Sequence, residues 1–201
     1  MERTQVAPIA GRTERRDGGR AITAIRPVRP EDLAELGGFF AGLSVESRYL
    51  RFFAPVTPTH GLLDLLAGRP ANIDAIVAVA DGVIVGHAMA ADLRSGRATD
   101  IGVVVADAWQ RRGVGAALMR ALIARARARG VTSLAMDVLP GNRRVLAMIL
   151  AHWPDAAVGR NPDSIDVCIP LPPDQPRRSR LRPAAEWVRA LVAVGGYHPT
   201  A

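Results

Sequence analysis

The chain has 201 residues, 49% of them hydrophobic and 22% charged, with a net charge of +7; that profile fits one globular domain with tails and excludes a disordered or low-complexity chain. No apolar run reaches the roughly 20 residues that a membrane-crossing helix needs, and the opening MERTQVAPIAGRTERRDGGR mixes charges of both signs without the apolar segment of a secretory signal. A single cysteine, Cys168, excludes an internal disulfide and fits a reducing, cytoplasmic setting, while the scattered His60, His87, His152 and His198 give no metal-ligand spacing, so no metal is expected.

All 26 basic residues are arginine. The positive charge admits acidic partners, but no zinc-finger, RRM or helix-turn-helix pattern accompanies it. Coding bias explains the arginines better than nucleic-acid recognition does.

In chain order, residues 1–20 read as a disordered arm rich in Gly and Arg. AITAIRPV (21–28) reads as a strand closed by prolines, and Pro30 opens a helix with Glu31 and Asp32 in its first turn. SVESRYLRFF (44–53) is a short helix with Ser44 and Ser47 as candidate caps, and THGLLDLLAG (59–68) is another. Residues 73–93 are two strands folded about Asp81-Gly82, a dipeptide suited to a tight hairpin. ATDIGVVVA (98–106) is a further strand after RSGR, and residues 113–129 form a helix with Val114, Leu118 and Leu122 on its apolar stripe. A strand at 131–139, a helix at 142–153 and a strand at 164–171 complete the pattern. A Pro/Arg linker then leads from residue 172 to a short helix, AAEWVRALVAV. The order predicts a single α/β domain over 21–171, with a mixed sheet and helices on both faces.

The informative stretch is DAWQRRGVGAALMR, where Gly113 and Gly115 stand at a helix start behind Gln110, Arg111 and Arg112. A helix N-terminus presents unpaired N–H groups and the positive end of the dipole, which suits phosphate, and glycines clear side chains from that seat. No G-x-x-x-x-G-K-[ST] loop is present. A dinucleotide fingerprint has its G-x-G and an acidic residue, Asp137, at the end of the next strand, but Leu118 occupies the third small position and the connection before Gly113 is too long. A glycine-rich helix start that binds nothing is the bland alternative.

Gln110-Arg-Arg-Gly113-Val-Gly115-Ala116, following the strand IGVVVADAW, resembles the acetyl-CoA-binding segment Q/R-x-x-G-x-G/A of the GNAT acetyltransferases. IRPVRPEDL resembles that family's first strand and turn, and GNRRVLAMI its later helix; SVESRYLRFF is similar to a segment of bacterial protein lysine acetyltransferases. The resemblance implies a GNAT-like, mostly antiparallel mixed sheet. It also implies acetyl-CoA as acyl donor, with its pyrophosphate on the N–H groups of Arg111, Arg112, Gly113, Gly115 and Ala116, and Asn142 contacting it. Its pantetheine arm would pair with the backbone of Val103 to Val105, in the gap between splayed parallel strands at 101–106 and 131–138. By the same resemblance, Asp100 stands where many members carry a Glu that serves as base, and the acceptor is an amine, either a protein lysine or a small molecule. The tyrosine that usually follows the helix Asn is missing from VLAMILAHW, which leaves thiolate protonation to solvent and keeps a non-catalytic acyl-CoA-binding module open.

Four side chains outside the motif carry expectations of their own. Cys168, among apolar neighbours, reads as a buried inert thiol, and His87 as a residue that packs in or caps a strand, with lining of the acceptor site as the alternative. Arg48 and Arg51 read equally well as solvated helix residues and as a border of the acceptor site.

Overall fold

The structure, a computed structural model, describes residues 21–93 and 98–172. The expected arm at 1–20, the RSGR connection at 94–97 and the C-terminal linker and helix from 173 onward lie outside the described residues. Strand β1 (Ala24–Pro27) leads through a 3-10 turn (Pro30–Asp32) into three helices, α1 (Leu33–Ala41), α2 (Val45–Phe52) and α3 (His60–Leu66). Three antiparallel strands follow, β2 (Ile73–Ala80), β3 (Val83–Asp92) and β4 (Ala98–Val105). Helix α4 (Val114–Ala128), β5 (Ser133–Val138), α5 (Arg143–His152), β6 (Ala157–Arg160) and β7 (Ile165–Pro170) complete the domain. The seven strands form one sheet in the order β1-β2-β3-β4-β5-β7-β6, in which only β4 and β5 run parallel.

Local chemistry accounts for the element boundaries. Asp81 (φ 50°) and Gly82 (φ 79°) both adopt left-handed backbone between the paired Ala80 and Val83, as a two-residue hairpin turn of the twisted kind requires. Ser44 caps α2 by accepting from the Ser47 amide, and Asn142 caps α5 by accepting from the Val145 amide at 3.3 Å. At the other end of the sheet, Arg26 and the Arg29 amide both donate to the buried Asp32 carboxylate, which anchors the turn into α1.

One face of the sheet is covered by α1 to α3, with Leu36, Phe40 and Leu66 buried against Val77, Val79 and Val104. On the other face α4 lays Val114, Leu118 and Leu122 onto Ile76, Ala88 and Ala90, and α5 buries Ile149 with Leu134, Val167 and Ile169. Each such aliphatic side chain contributes about 1.5–3 kcal/mol when fully buried. A methyl group at Gly86 would stand 2.9 Å from Leu118 Cδ1 and 3.2 Å from Val114 Cγ1, so this glycine lets the first turn of α4 lie directly on β3.

Two sequence expectations are corrected. The stretch expected as loop between α5 and the last strand contains β6, whose four residues are all exposed; AVGR has no alternation to announce it, and only its pairing with β7 makes it a strand. Cys168 is exposed rather than buried. In β7 the residues alternate, with Ile165, Val167 and Ile169 under α5 and Asp166 and Cys168 on the opposite face, where both are exposed. The apolar neighbours of Cys168 in sequence point away from it.

Candidate functional site

The parallel pair is short. Ala98, Thr99 and Asp100 pair with Ser133, Leu134 and Ala135, and no partner follows although β4 runs on to Val105 and β5 to Val138. Past Asp100 the strands separate, and the β4 edge facing the gap is open to an extended ligand. A cavity of about 760 Å³ occupies the gap and runs to the N-terminus of α4.

The loop at that end is built by backbone conformation. Arg111 (φ 61°) and Gly113 (φ 82°) are both left-handed, a geometry that costs about 1–2 kcal/mol at a residue with a side chain. They turn the chain so that α4 begins facing the cavity. The amides of Val114, Gly115 and Ala116 bond no described carbonyl, and the Ala117 amide is the first to do so, bonding Gly113 at 3.0 Å. Gly113 therefore has a conformational reason within the chain itself.

A polar knot ties this loop to α2. Asp107 accepts from the Ser44 amide at 2.9 Å, the Ser44 hydroxyl at 2.8 Å and the Ser47 hydroxyl at 2.7 Å. Gln110 Nε2 donates to Ser47 Oγ at 3.0 Å and to the Val105 carbonyl at 3.2 Å. Burial works against ionisation of Asp107, but the hydrogen bonds from the Ser44 amide and the two serine hydroxyls outweigh it and hold the carboxyl below the usual range.

Of the residues singled out from sequence, Asp100, Val103, Val105, Gln110, Arg111, Gly113, Gly115 and Asn142 line this one cavity. Two do not. The Ala116 side chain is buried beneath α4, leaving only its amide toward the cavity end, and the Arg112 guanidinium lies 5.3 Å from the centre of the Trp109 ring. Gln110 and Asn142 both hold structural hydrogen bonds, Gln110 in the knot and Asn142 as a cap through Oδ1. Asn142 Nδ2 makes no hydrogen bond to a described residue.

At the opposite end, where β4 and β5 part, charged groups from three elements face the cavity. Asp100 is on the solvent-accessible rim, yet partial burial is the largest influence raising its carboxyl pKa; Asp137 raises it further, against Arg51 and the Ile101 amide. Asp137, on β5, is itself raised, chiefly by its hydrogen bond with Asp166 on β7, and it accepts from the Ser164 hydroxyl at 3.0 Å. Arg51 reaches in from α2, and burial lowers its guanidinium pKa against the pull of Asp100. Arg48 turns the other way and donates to the Ala41 and Leu43 carbonyls at the end of α1. Of the two, Arg51 borders the cavity and neither is a solvated helix residue.

His87 is fully buried behind this end. Its Nε2 bonds the Leu66 carbonyl at 2.8 Å, its ring meets Phe40 edge-on, and burial first, then Arg51, push its pKa down to about 3. It is a neutral packing residue.

Sequence reasoning did not find Asp107, Ser47 as a tie to the loop, Gly102 or Asp137 in this place. Gly102 had a readable signal, since a glycine inside an otherwise β-branched strand marks a close approach. A methyl group there would fall 2.5 Å from the Arg51 guanidinium carbon. Asp107 and Asp137 had none, because their partners lie 63 and 27 residues away in Ser44 and Ser164.

The arrangement matches known proteins. The model of the acetyltransferase (GNAT) family matches residues 44–151, more than half of the chain. Among solved structures, the GNAT domain of S. lividans PAT is 24% identical, with a TM-score of 0.65, covering 73% of this chain and 89% of that one. The ribosomal-protein-alanine N-acetyltransferase of Brucella melitensis is 20% identical, with a TM-score of 0.57, over 73% and 98% of the two chains. A GNAT superfamily phosphinothricin acetyltransferase from Sinorhizobium meliloti, solved in complex with acetyl-CoA, is 16% identical, with a TM-score of 0.58, over 74% and 88%. A search of curated protein sequences found no significant match. At these identities the solved structures speak for the fold, and the family match speaks for membership: this chain belongs to the GNAT acetyltransferase family.

Proposed function

We propose that the chain is an acetyl-CoA-dependent N-acetyltransferase acting on a primary amine in a reducing cytoplasm. One observation carries most weight: β4 and β5 stop pairing at Asp100 and Ala135, and a cavity leads from that point to the free amides of α4. An extended thioester fits the open β4 edge at Val103 to Val105, and a pyrophosphate fits the amides at 113–116 with Arg111 beside them. Asn142 Nδ2 is available to the donor.

The chemistry is a transfer of acetyl from sulfur to nitrogen. The neutral amine attacks the thioester carbon, the C–N bond forms and the C–S bond breaks, and the thiolate leaves. Asp100 takes the ammonium proton directly or through a water, a role that its raised pKa suits better than that of an ordinary aspartate. Aspartate is one methylene shorter than the glutamate of many relatives, which favours the water route. The α5 segment VLAMILAHW offers no tyrosine, and the thiolate takes its proton from solvent.

For the acceptor, the resemblance of SVESRYLRFF to protein-acetylating members favours a protein lysine. The charges at the splay favour a small amine instead, as developed below. A screen of amines and peptides with acetyl-CoA, following thiol release and product mass, tests the function. Enzyme-dependent N-acetyl product is expected from at least one class. Tight acetyl-CoA binding with no product from any amine would replace the enzyme with an acyl-CoA-binding module.

A further inference from the structure

We propose that the acceptor carries a carboxylate within a few bonds of its amine, and that Arg51 binds that carboxylate. This rests on the N-acetyltransferase reading and names the acceptor class within it.

The starting point is a partly buried cation with no bonded counter-ion among the described residues. Arg51 Nε is shielded from solvent and has no hydrogen-bond partner, and the guanidinium forms no ion pair among the described residues. Its contacts are the Phe52 ring, 5.0 Å from its central carbon, and the backbone of Gly102, where a β-carbon would lie 2.5 Å from Cζ and Nη2. Burying a charge without a counter-ion is costly. The chain maintains it here, and it gives up a side chain at position 102 to make room.

The location restricts what the counter-ion can be. Asp100 and Gly102 are two residues apart on one face of β4, so the Asp100 side chain and the Arg51 guanidinium over Gly102 are neighbours on that face. They flank the point where the parallel pairing ends. The donor's phosphates have their own seat at the opposite end of the cavity, where the other lining arginine, Arg111, sits. Asp100 attracts Arg51 without a hydrogen bond or ion pair to it, which leaves the guanidinium to an anion that comes with the acceptor. An amine at Asp100 and a carboxylate at Arg51 describe a small amino acid, whose two charges match the two groups in sign and order. The ε-amine of a lysine within a protein has no carboxylate of its own nearby.

The test compares matched acceptors on the wild type, Arg51→Gln and Gly102→Ala. The pairs are free amino acids and their carboxamides, with an end-blocked lysine peptide as a third acceptor. The wild type is expected to prefer acid over amide by about ten- to a hundredfold in kcat/KM, the range of one charge-assisted hydrogen bond. In Arg51→Gln the preference should shrink to about threefold or less. Gly102→Ala keeps the charge but displaces the guanidinium, and should do the same. Acetyl-CoA affinity by calorimetry should be unchanged in Arg51→Gln, which also reports that this variant folds. Equal rates for acid and amide, a preference that survives Arg51→Gln, or faster turnover of the lysine peptide would each overturn the proposal. So would an equal fall in kcat for acid and amide, which would make Arg51 a transition-state group. If no amine releases thiol, the parent function fails separately. Calorimetry of N-acetyl amino acids and their amides on the coenzyme A-loaded protein then decides, and equal affinities would overturn the carboxylate site.

Discussion

The two ends of the cavity are made in different ways. The end proposed for the donor is almost all backbone: an open strand edge at 101–105, a left-handed turn through Arg111 and Gly113, and free amides at the start of α4. The end proposed for the acceptor is side chains, Arg51 from α2, Asp100 from β4 and Asp137 from β5. A backbone site needs contiguous sequence and tolerates many side chains, provided that none intrudes. A side-chain site draws on distant segments and depends on each identity.

That contrast can be broken by substitution. The largest effect is expected at the donor end. Gly115→Glu places a negative side chain at the seat proposed for the pyrophosphate, and should weaken acetyl-CoA binding by at least about a hundredfold, or about 2.7 kcal/mol. Calorimetry giving wild-type affinity would remove the anion from this seat. Asp100→Asn should lower kcat by about a hundredfold while leaving donor affinity unchanged; full activity across the pH range would return Asp100 to an ordinary strand residue.

The knot that joins the ends is a stability element. Asp107→Ala removes three hydrogen bonds from the Ser44 amide and the Ser44 and Ser47 hydroxyls, and should cost about 2–3 kcal/mol in urea unfolding. Because its folded pKa lies below its unfolded value, Asp107 stabilises the fold above the unfolded pKa, and that contribution is lost as pH falls through the folded one. Asp107→Ala should accordingly lose less stability than the wild type between neutral and acid pH. An unchanged acid limb of stability would contradict the assignment.

The smallest expected effect sharpens the acceptor end. With Asp100 as the proposed base its ionised form is the active one, so kcat/KM should fall as pH drops through its raised pKa. Asp137 contributes to raising it, so Asp137→Asn should move that acid limb to lower pH by less than about one unit. A limb that stays in place, or moves up, would show that Asp137 does not act on the titrating group.

The same contrast explains what was legible in the sequence. The strand-loop-helix unit around Gly113 and Gly115 is local, and its glycines, its arginines and the preceding β-run could be read together. The hairpin at Asp81-Gly82 and the apolar stripe of α4 were legible for the same reason. Strand β6 was not, since AVGR has no pattern apart from its pairing with β7. Cys168 was misplaced because three apolar neighbours suggested burial, whereas strand alternation turns it away from α5 and leaves it exposed. At the acceptor end, Arg51 looked like any charged residue on a short helix. Only the fold brings it over Gly102, which is 51 residues away in the chain.

The central claim is that the donor occupies the gap that opens where β4 leaves β5. Hydrogen–deuterium exchange with and without acetyl-CoA tests it directly. Binding should slow exchange at the amides of 101–105 and 113–116 and leave the edge strand β6 and its partner β7 unchanged. Acetyl-CoA that binds while exchange at 101–105 and 113–116 stays as fast as in the free protein would contradict the account.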